Sequence, residues 1–110
     1  MNDKHYILDE NKRIKSVDLM TWAKWFEKRE RIVKQERIGP SKVSTVFLGI
    51  DHNFGDGPPI LWETMVFGGS LDQEQNRCAG DWDQAEAMHL DMVERVKAVE
   101  ATTADDPRHG

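Results

Sequence analysis

Residues 42–69, KVSTVFLGIDHNFGDGPPILWETMVFGG, hold most of the strand signal of this chain and decide its fold. Two apolar runs rich in β-branched and aromatic residues flank a polar, glycine-rich stretch. Val43–Ile50 is nearly all β-branched or apolar, the pattern of a strand buried on both faces. Asp51–Pro59 reads as a loop, and Ile60–Phe67 as the returning strand. Gly68 and Gly69 then end the run. The segment is a pair of core strands with a polar tip.

Working outward, His5–Leu8 is a short strand candidate, followed by a polar break at Asp9–Lys12. Ser16 or Asp18 is placed to cap a helix by accepting from free backbone N–H groups. Beyond it Leu19, Trp22, Ala23 and Phe26 fall at i, i+3, i+4 and i+7, one face of a helix that ends near Lys28–Arg29. Arg31–Ile38 fits an edge strand, with a turn at Gly39–Ser41. Ser70–Gly80 is polar and shows no periodicity. Asp81 opens a second helix, with Gln84 three residues on, a variant of the capping box. Its apolar face is Trp82, Ala85, His89, Met92, Val96 and Val99, and it should end near Ala101. The predicted order is β-α-β-β-β-α. Two one-faced helices and about four strands imply a two-layer α+β sandwich, a mostly antiparallel sheet with both helices on one face. Residues 1–101 form one domain in this reading, and 102–110 a polar tail.

At 110 residues, a single domain with a modest core is expected. No apolar run reaches membrane-helix length, and no signal peptide opens the chain, so a cytosolic, non-membrane product is expected. Cys78 is the sole cysteine. It reads as a small half-buried residue; it can form neither an internal disulfide nor a cysteine-based zinc site. Residues 1–41 carry ten Lys/Arg against seven Asp/Glu, and residues 42–110 five against thirteen, so the halves are about +3 and −8. An acidic surface repels phosphates, which argues against direct nucleic-acid binding. It confers solubility, and it would attract a basic protein surface.

Two places hold candidate functional groups. In the loop, Asp51, His52, Asn53, Phe54 and Asp56 are either the turn chemistry of a tight connection or a preorganised recognition surface with Phe54 as its aromatic anchor. Asp51, His52 and Asp56 are plausible metal ligands by type, but their spacing matches no metal signature, and no metal or cofactor is expected. The second place is a polar pocket between sheet and last helix. Glu63 interrupts an apolar strand and needs a partner, with Arg31 or Arg37 available. His89 sits in the apolar arc of its helix and would pair with Glu63 or reach His52. Of four tryptophans, Trp25 lies off the centre of its helix stripe and is the candidate for an exposed partner contact. There is no GxSxG, HExxH, P-loop or GxGxxG motif, so serine-hydrolase and nucleotide-phosphate chemistry have no support, and no catalytic residue is assigned.

The segments VDLMTWAKWFE (17–27), VSTVFLGIDHNFGDGPPILWETMVFGG (43–69) and WDQAEAMHLDMVERV (82–96) resemble a widespread group of short phage and prophage proteins. The resemblance spans most of the chain. It implies a virus-encoded accessory protein working in the cytoplasm of an infected bacterium, and it carries over no activity. The expected function is binding and modulating a host protein, such as a component of a defence system like CRISPR. The alternatives are a small enzyme or ligand-binding protein using the pocket with His52, Glu63 and His89, and a self-assembling or virion-associated structural protein. The oligomeric state stays open.

Overall fold

The computed structural model describes residues 5–28, 31–53 and 55–104. In chain order its elements are β1 (His5–Leu8), β2 (Ile14–Val17), α1 (Leu19–Lys28), β3 (Ile32–Ile38), β4 (Ser41–Phe47), β5 (Ile60–Phe67), β6 (Gln75–Ala79) and α2 (Trp82–Ala104). The fold is α+β. A four-stranded antiparallel sheet has the order β3-β4-β5-β6, and β1-β2 forms a separate antiparallel hairpin.

The two apolar runs are the central strands, β4 and β5, which gives each a neighbour on both sides. The β4 strand stops at Phe47, three residues short of the sequence reading, and Ile50 makes only an isolated bridge to His5. Two strands escape the apolar pattern. In β2, Ser16 pairs with Tyr6 and cannot cap α1; Asp18 does so, accepting from the Thr21 amide at 2.8 Å. The β1 strand, counted among the four strands of the expected sheet, pairs with β2 instead, and β6 completes the large sheet beside β5. The α2 helix runs to Ala104, past the expected end at Ala101, while 105–110 lie outside the described residues.

Both helices lie on one face of the sheet. The α2 helix packs against all four strands of the large sheet. Val43, Val66, Met92, Val93 and Val96 form one buried cluster, and Phe47, Leu61, Trp62, Ala85 and Met88 a second. Each such side chain removed from water stabilises the fold by roughly 1.5–3 kcal/mol before entropy is counted. Leu61 and Trp62 are adjacent yet share a cluster. The register slips between Ile60 and Trp62, and such a bulge turns consecutive side chains towards one side.

The hairpin is tied to the end of β4 by the Tyr6 amide, which donates to the Gly49 carbonyl at 2.8 Å. Gly49 has φ +76°, and a Cβ there would lie 2.3 Å from the Phe26 ring. Only glycine lets α1 seat against this corner. The face that α1 buries is centred on Trp22 and Phe26. Leu19, expected in that stripe, is 60% exposed, because the helix rolls towards Gly49 and Phe47.

Candidate functional site

An aromatic chain links the two helices through the sheet. Trp25 meets Phe47 edge-on at 5.8 Å, Phe47 meets Trp62 at 4.9 Å, and Trp62 meets Trp82 edge-on at 6.0 Å. Trp62 is anchored in turn by its indole N–H, which donates to the Gly80 carbonyl at 2.8 Å. This chain fixes Trp25 and Trp82 on the walls of one cleft. Its other lining residues come from the hairpin (Leu8, Asp9, Glu10, Lys12) and from Ile32 and Val33, and its volume is about 520 Å³. A second cleft of about 570 Å³ lies on the other side of Trp82 and Lys12, with Asp81, Asp83 and Glu86 in its wall. The Lys12 ammonium stands between the two, 4.3 Å from the centre of the Trp82 ring.

Local chemistry holds the hairpin tip in this pose. The Asp9 carboxylate accepts from the amides of Asn11 (2.8 Å) and Arg13 (3.0 Å). The Arg13 amide leads in holding that carboxyl below its ordinary range, so it is charged at neutral pH. Lys12 adopts φ +63°, a conformation L residues seldom take, and this projects its side chain back over Trp82. Trp82 itself is half-buried, not the full core residue its helix position implied, because the first turn of α2 reaches past the sheet's end. Trp25 is likewise half-buried and lines the cleft. Sequence reasoning missed Asp9, Glu10, Lys12 and Trp82 as site residues. The one available signal was an aromatic directly after a helix cap.

The 51–59 loop is arranged differently. Asp51 Oδ1 accepts from the amides of Asn53 (2.7 Å) and Ile60 (2.9 Å), so it clamps the two ends of the loop together. Asn53 Oδ1 accepts from the Gly55 amide, and its Nδ2 donates to the Pro58 carbonyl, both at 3.0 Å. His52 Nδ1 lies 2.8 Å from the Ile50 carbonyl and must donate to it. Asp56 is exposed, and Phe54 lies outside the described residues.

Glu63 and His89 are not brought together. Side chains alternate along β5, and Glu63 faces away from α2, where its carboxylate accepts from Arg77 Nε at 2.7 Å. The expected partners Arg31 and Arg37 are not used, since Glu63 pairs with β6, a strand unseen in the sequence. His89 is 1% exposed and faces the sheet, bonded to neither Glu63 nor His52. Its Nε2 lies 3.1 Å from Glu36 Oε1 and its Nδ1 2.7 Å from Thr45 Oγ1, which in turn lies 2.5 Å from Thr64 Oγ1. Burial holds the imidazole below its ordinary pKa, although Glu36 pulls the other way. The ring is therefore neutral at pH 7. A carboxylate only accepts, so Nε2 carries the proton, Thr45 donates to Nδ1 and Thr64 donates to Thr45. Burial also pushes the Glu36 carboxyl up, but the Lys34 ammonium and the His89 ring outweigh it and hold the pKa down. Thr45 and Thr64 are fully buried, so this network staples α2 to the sheet and offers no accessible nucleophile.

The outer side of α2 is acidic. Between Arg77 and Arg95 the chain has Asp81, Asp83, Glu86, Asp91 and Glu94 and no Lys or Arg. All five are exposed. Glu86 and Glu94 flank Leu90, which is 56% exposed, four residues to either side, and Asp83 lies two turns before it. Among the described residues, no three His, Cys, Asp or Glu side chains converge to hold a metal. Nor is any described helix long and apolar enough to cross a membrane.

No family model, no curated protein and no solved structure matches this chain.

Proposed function

We propose that this is a phage-encoded accessory protein that binds a basic surface of a host protein and alters its activity, with the outer face of α2 as the contact. The observation that carries the reading is the excess of exposed carboxylates at the start and along the outer side of α2, five between Arg77 and Arg95, which outnumber Lys12, Arg13 and Lys34 across the adjoining clefts and lie beside exposed Leu90. An excess of charge of one sign accelerates encounter with an oppositely charged surface, and a central apolar side chain supplies the contact that slows departure. The α2 helix is rigidly held by the His89 network, so little entropy is lost when it docks. The resemblance of residues 17–27, 43–69 and 82–96 to phage proteins supports an encounter in the cytoplasm of an infected bacterium, where defence complexes that handle nucleic acid present basic surfaces. The enzyme alternative loses the pocket it required, because His89 is buried and bonded to neither His52 nor Glu63.

Affinity capture from host lysate tests this. Wild-type protein should retain a host protein in near-equimolar amount at low salt. The triple variant Asp83→Asn, Glu86→Gln, Glu94→Gln should lose it while melting within a few degrees of wild type. Undiminished capture by the folded variant would remove α2 from the interface.

A further inference from the structure

We infer that the cleft between the hairpin tip and the start of α2 is the anchor point of that contact, and that it takes an arginine side chain of the partner. The inference rests on the host-binding reading but assigns a different patch and a specific occupant. Its floor and walls are those a guanidinium requires. Trp25 and Trp82 offer aromatic faces, Leu8, Ile32 and Val33 give an apolar lining for the methylene stem, and Asp9 and Glu10 supply carboxylates. At about 520 Å³ the cleft lies within the roughly 300–1,000 Å³ of typical ligand sites. A planar, weakly hydrated guanidinium stacks on an indole and still donates in its own plane to carboxylates, which an ammonium does less well.

The protein already shows that the Trp82 face takes a cation. Lys12, held at φ +63° by the hairpin turn, places its ammonium 4.3 Å from the ring centre. Lys12 is exposed and has no carboxylate partner among the ion pairs of the described residues. It is an internal occupant held by one contact at the solvent edge, replaceable by a cation that also reaches Asp9 and Glu10. Charge complementarity reaches beyond the cleft. The linings of the two clefts together carry Asp9, Glu10, Asp81, Asp83 and Glu86 against Lys12 and Arg13, so a basic segment seated here meets net negative charge on both sides of Trp82.

The test is an NMR titration of the full chain with an acetylated, amidated Gly-Arg-Gly peptide, followed at the indole N–H signals of Trp25 and Trp82 and the amides of residues 8–13. Those signals should move with the arginine peptide and stay still with its citrulline counterpart, which keeps the shape and loses the charge. Lys12→Gly relieves the positive φ and vacates the ring, so it should tighten binding roughly two- to five-fold, the worth of an exposed cation–π contact. Lys15→Gln, which removes the same charge outside both clefts, should change affinity less than two-fold, and Glu10→Gln should weaken binding. Equal response to citrulline, or weaker binding by Lys12→Gly, would overturn the inference. Shifts confined to Asp91 and Glu94 would overturn the cleft and leave the acidic-helix contact standing. No shift anywhere on α2 would overturn both.

Discussion

In the 51–59 loop, Asp51 and Asn53 direct their polar atoms inward, to the amides of Asn53, Gly55 and Ile60 and the carbonyl of Pro58. Around the hairpin cleft and along α2, Glu10, Asp83, Glu86 and Asp91 remain exposed, and two tryptophans stay half-open beside them. The two regions contain the same residue types and use them in opposite ways. The loop joins adjacent strands β4 and β5, so its backbone donors must be satisfied within a few residues, and Asp and Asn are the short acceptors that can do it. The cleft sits where the hairpin, α1, β3 and α2 meet. Apart from Asp9 in the turn and the helix caps Asp18 and Asp81, the carboxylates around it are not used in folding contacts of these elements. Density of polar residues in a sequence therefore marks turn chemistry as readily as recognition, and what separates them is where the acceptors point.

The largest effect that bears on this contrast concerns the docking of α2, on which the cleft depends and the loop does not. Val96 is fully buried two turns beyond His89. Val96→Asp leaves an unpaired carboxylate against Val43 and Val66 and should cost about 3 kcal/mol or more. Thermal unfolding followed by near-ultraviolet circular dichroism measures it, since Trp62 and Trp82 pack edge to face only when α2 is seated. An unchanged melting temperature would mean that α2 is not docked as described and that the cleft has no second wall.

A smaller effect separates the loop from the acidic helix directly. Asp51→Ala leaves the amides of Asn53 and Ile60 without their acceptor and should cost about 1–3 kcal/mol. Asp91→Asn changes an exposed side chain of the same type and should stay within about 0.5 kcal/mol. Denaturant midpoints of the two variants settle the comparison. If Asp51→Ala is silent in stability but weakens partner capture, the loop is a recognition surface and its internal bonds are incidental.

The contrast also explains what could be read from the residues alone. The central strands β4 and β5, both helices and the Asp81–Gln84 cap are legible, because burial on one or both faces writes a period into the sequence. The cap is formed as read, with the Gln84 amide donating to Asp81 at 3.0 Å. The strands β2 (IKSV) and β6 (QNRCA) are not legible. Each has solvent on at least one side, and partners across the ladder, not apolar side chains, hold them in place. Missing β6 hid Arg77 and misdirected Glu63. The turn at Asp9–Lys12 is legible, but without β2 its hairpin is not, nor is the way that hairpin carries Asp9, Glu10 and Lys12 to Trp82. Long-range side-chain pairing was out of reach for the same reason. His89 was identified as a polar residue on an apolar face, but Thr45, Thr64 and Glu36 meet it only once register and layer are known.

Acidification gives the smallest and most selective of these tests, because it acts on the helix staple through one group facing Thr45, Glu36, Lys34 and Glu86. Burial holds the folded pKa of His89 below its ordinary 6.5. Between that depressed value and about 6.5, the unfolded chain binds a proton that the folded chain refuses, so stability rises with pH across this interval. The contribution is complete above about pH 6.5 and is lost as pH falls towards the folded value. Glu36 adds nothing in this window. Its carboxyl lies below its ordinary 4.5 in the folded protein, so its contribution is lost only at still lower pH. The melting temperature should therefore be lower at pH 5.5 than at pH 7.5, with a shallower decline in His89→Gln, which cannot take up a proton. The ring's surroundings decide the sign. If burial dominates, as the full enclosure of Thr45 and Thr64 implies, acid loosens α2. A melting temperature that rises on acidification would mean instead that the Glu36 carboxylate stabilises an imidazolium more than burial opposes it. The staple would then be an ion pair, and the neutral Thr64–Thr45–His89–Glu36 chain would be wrong.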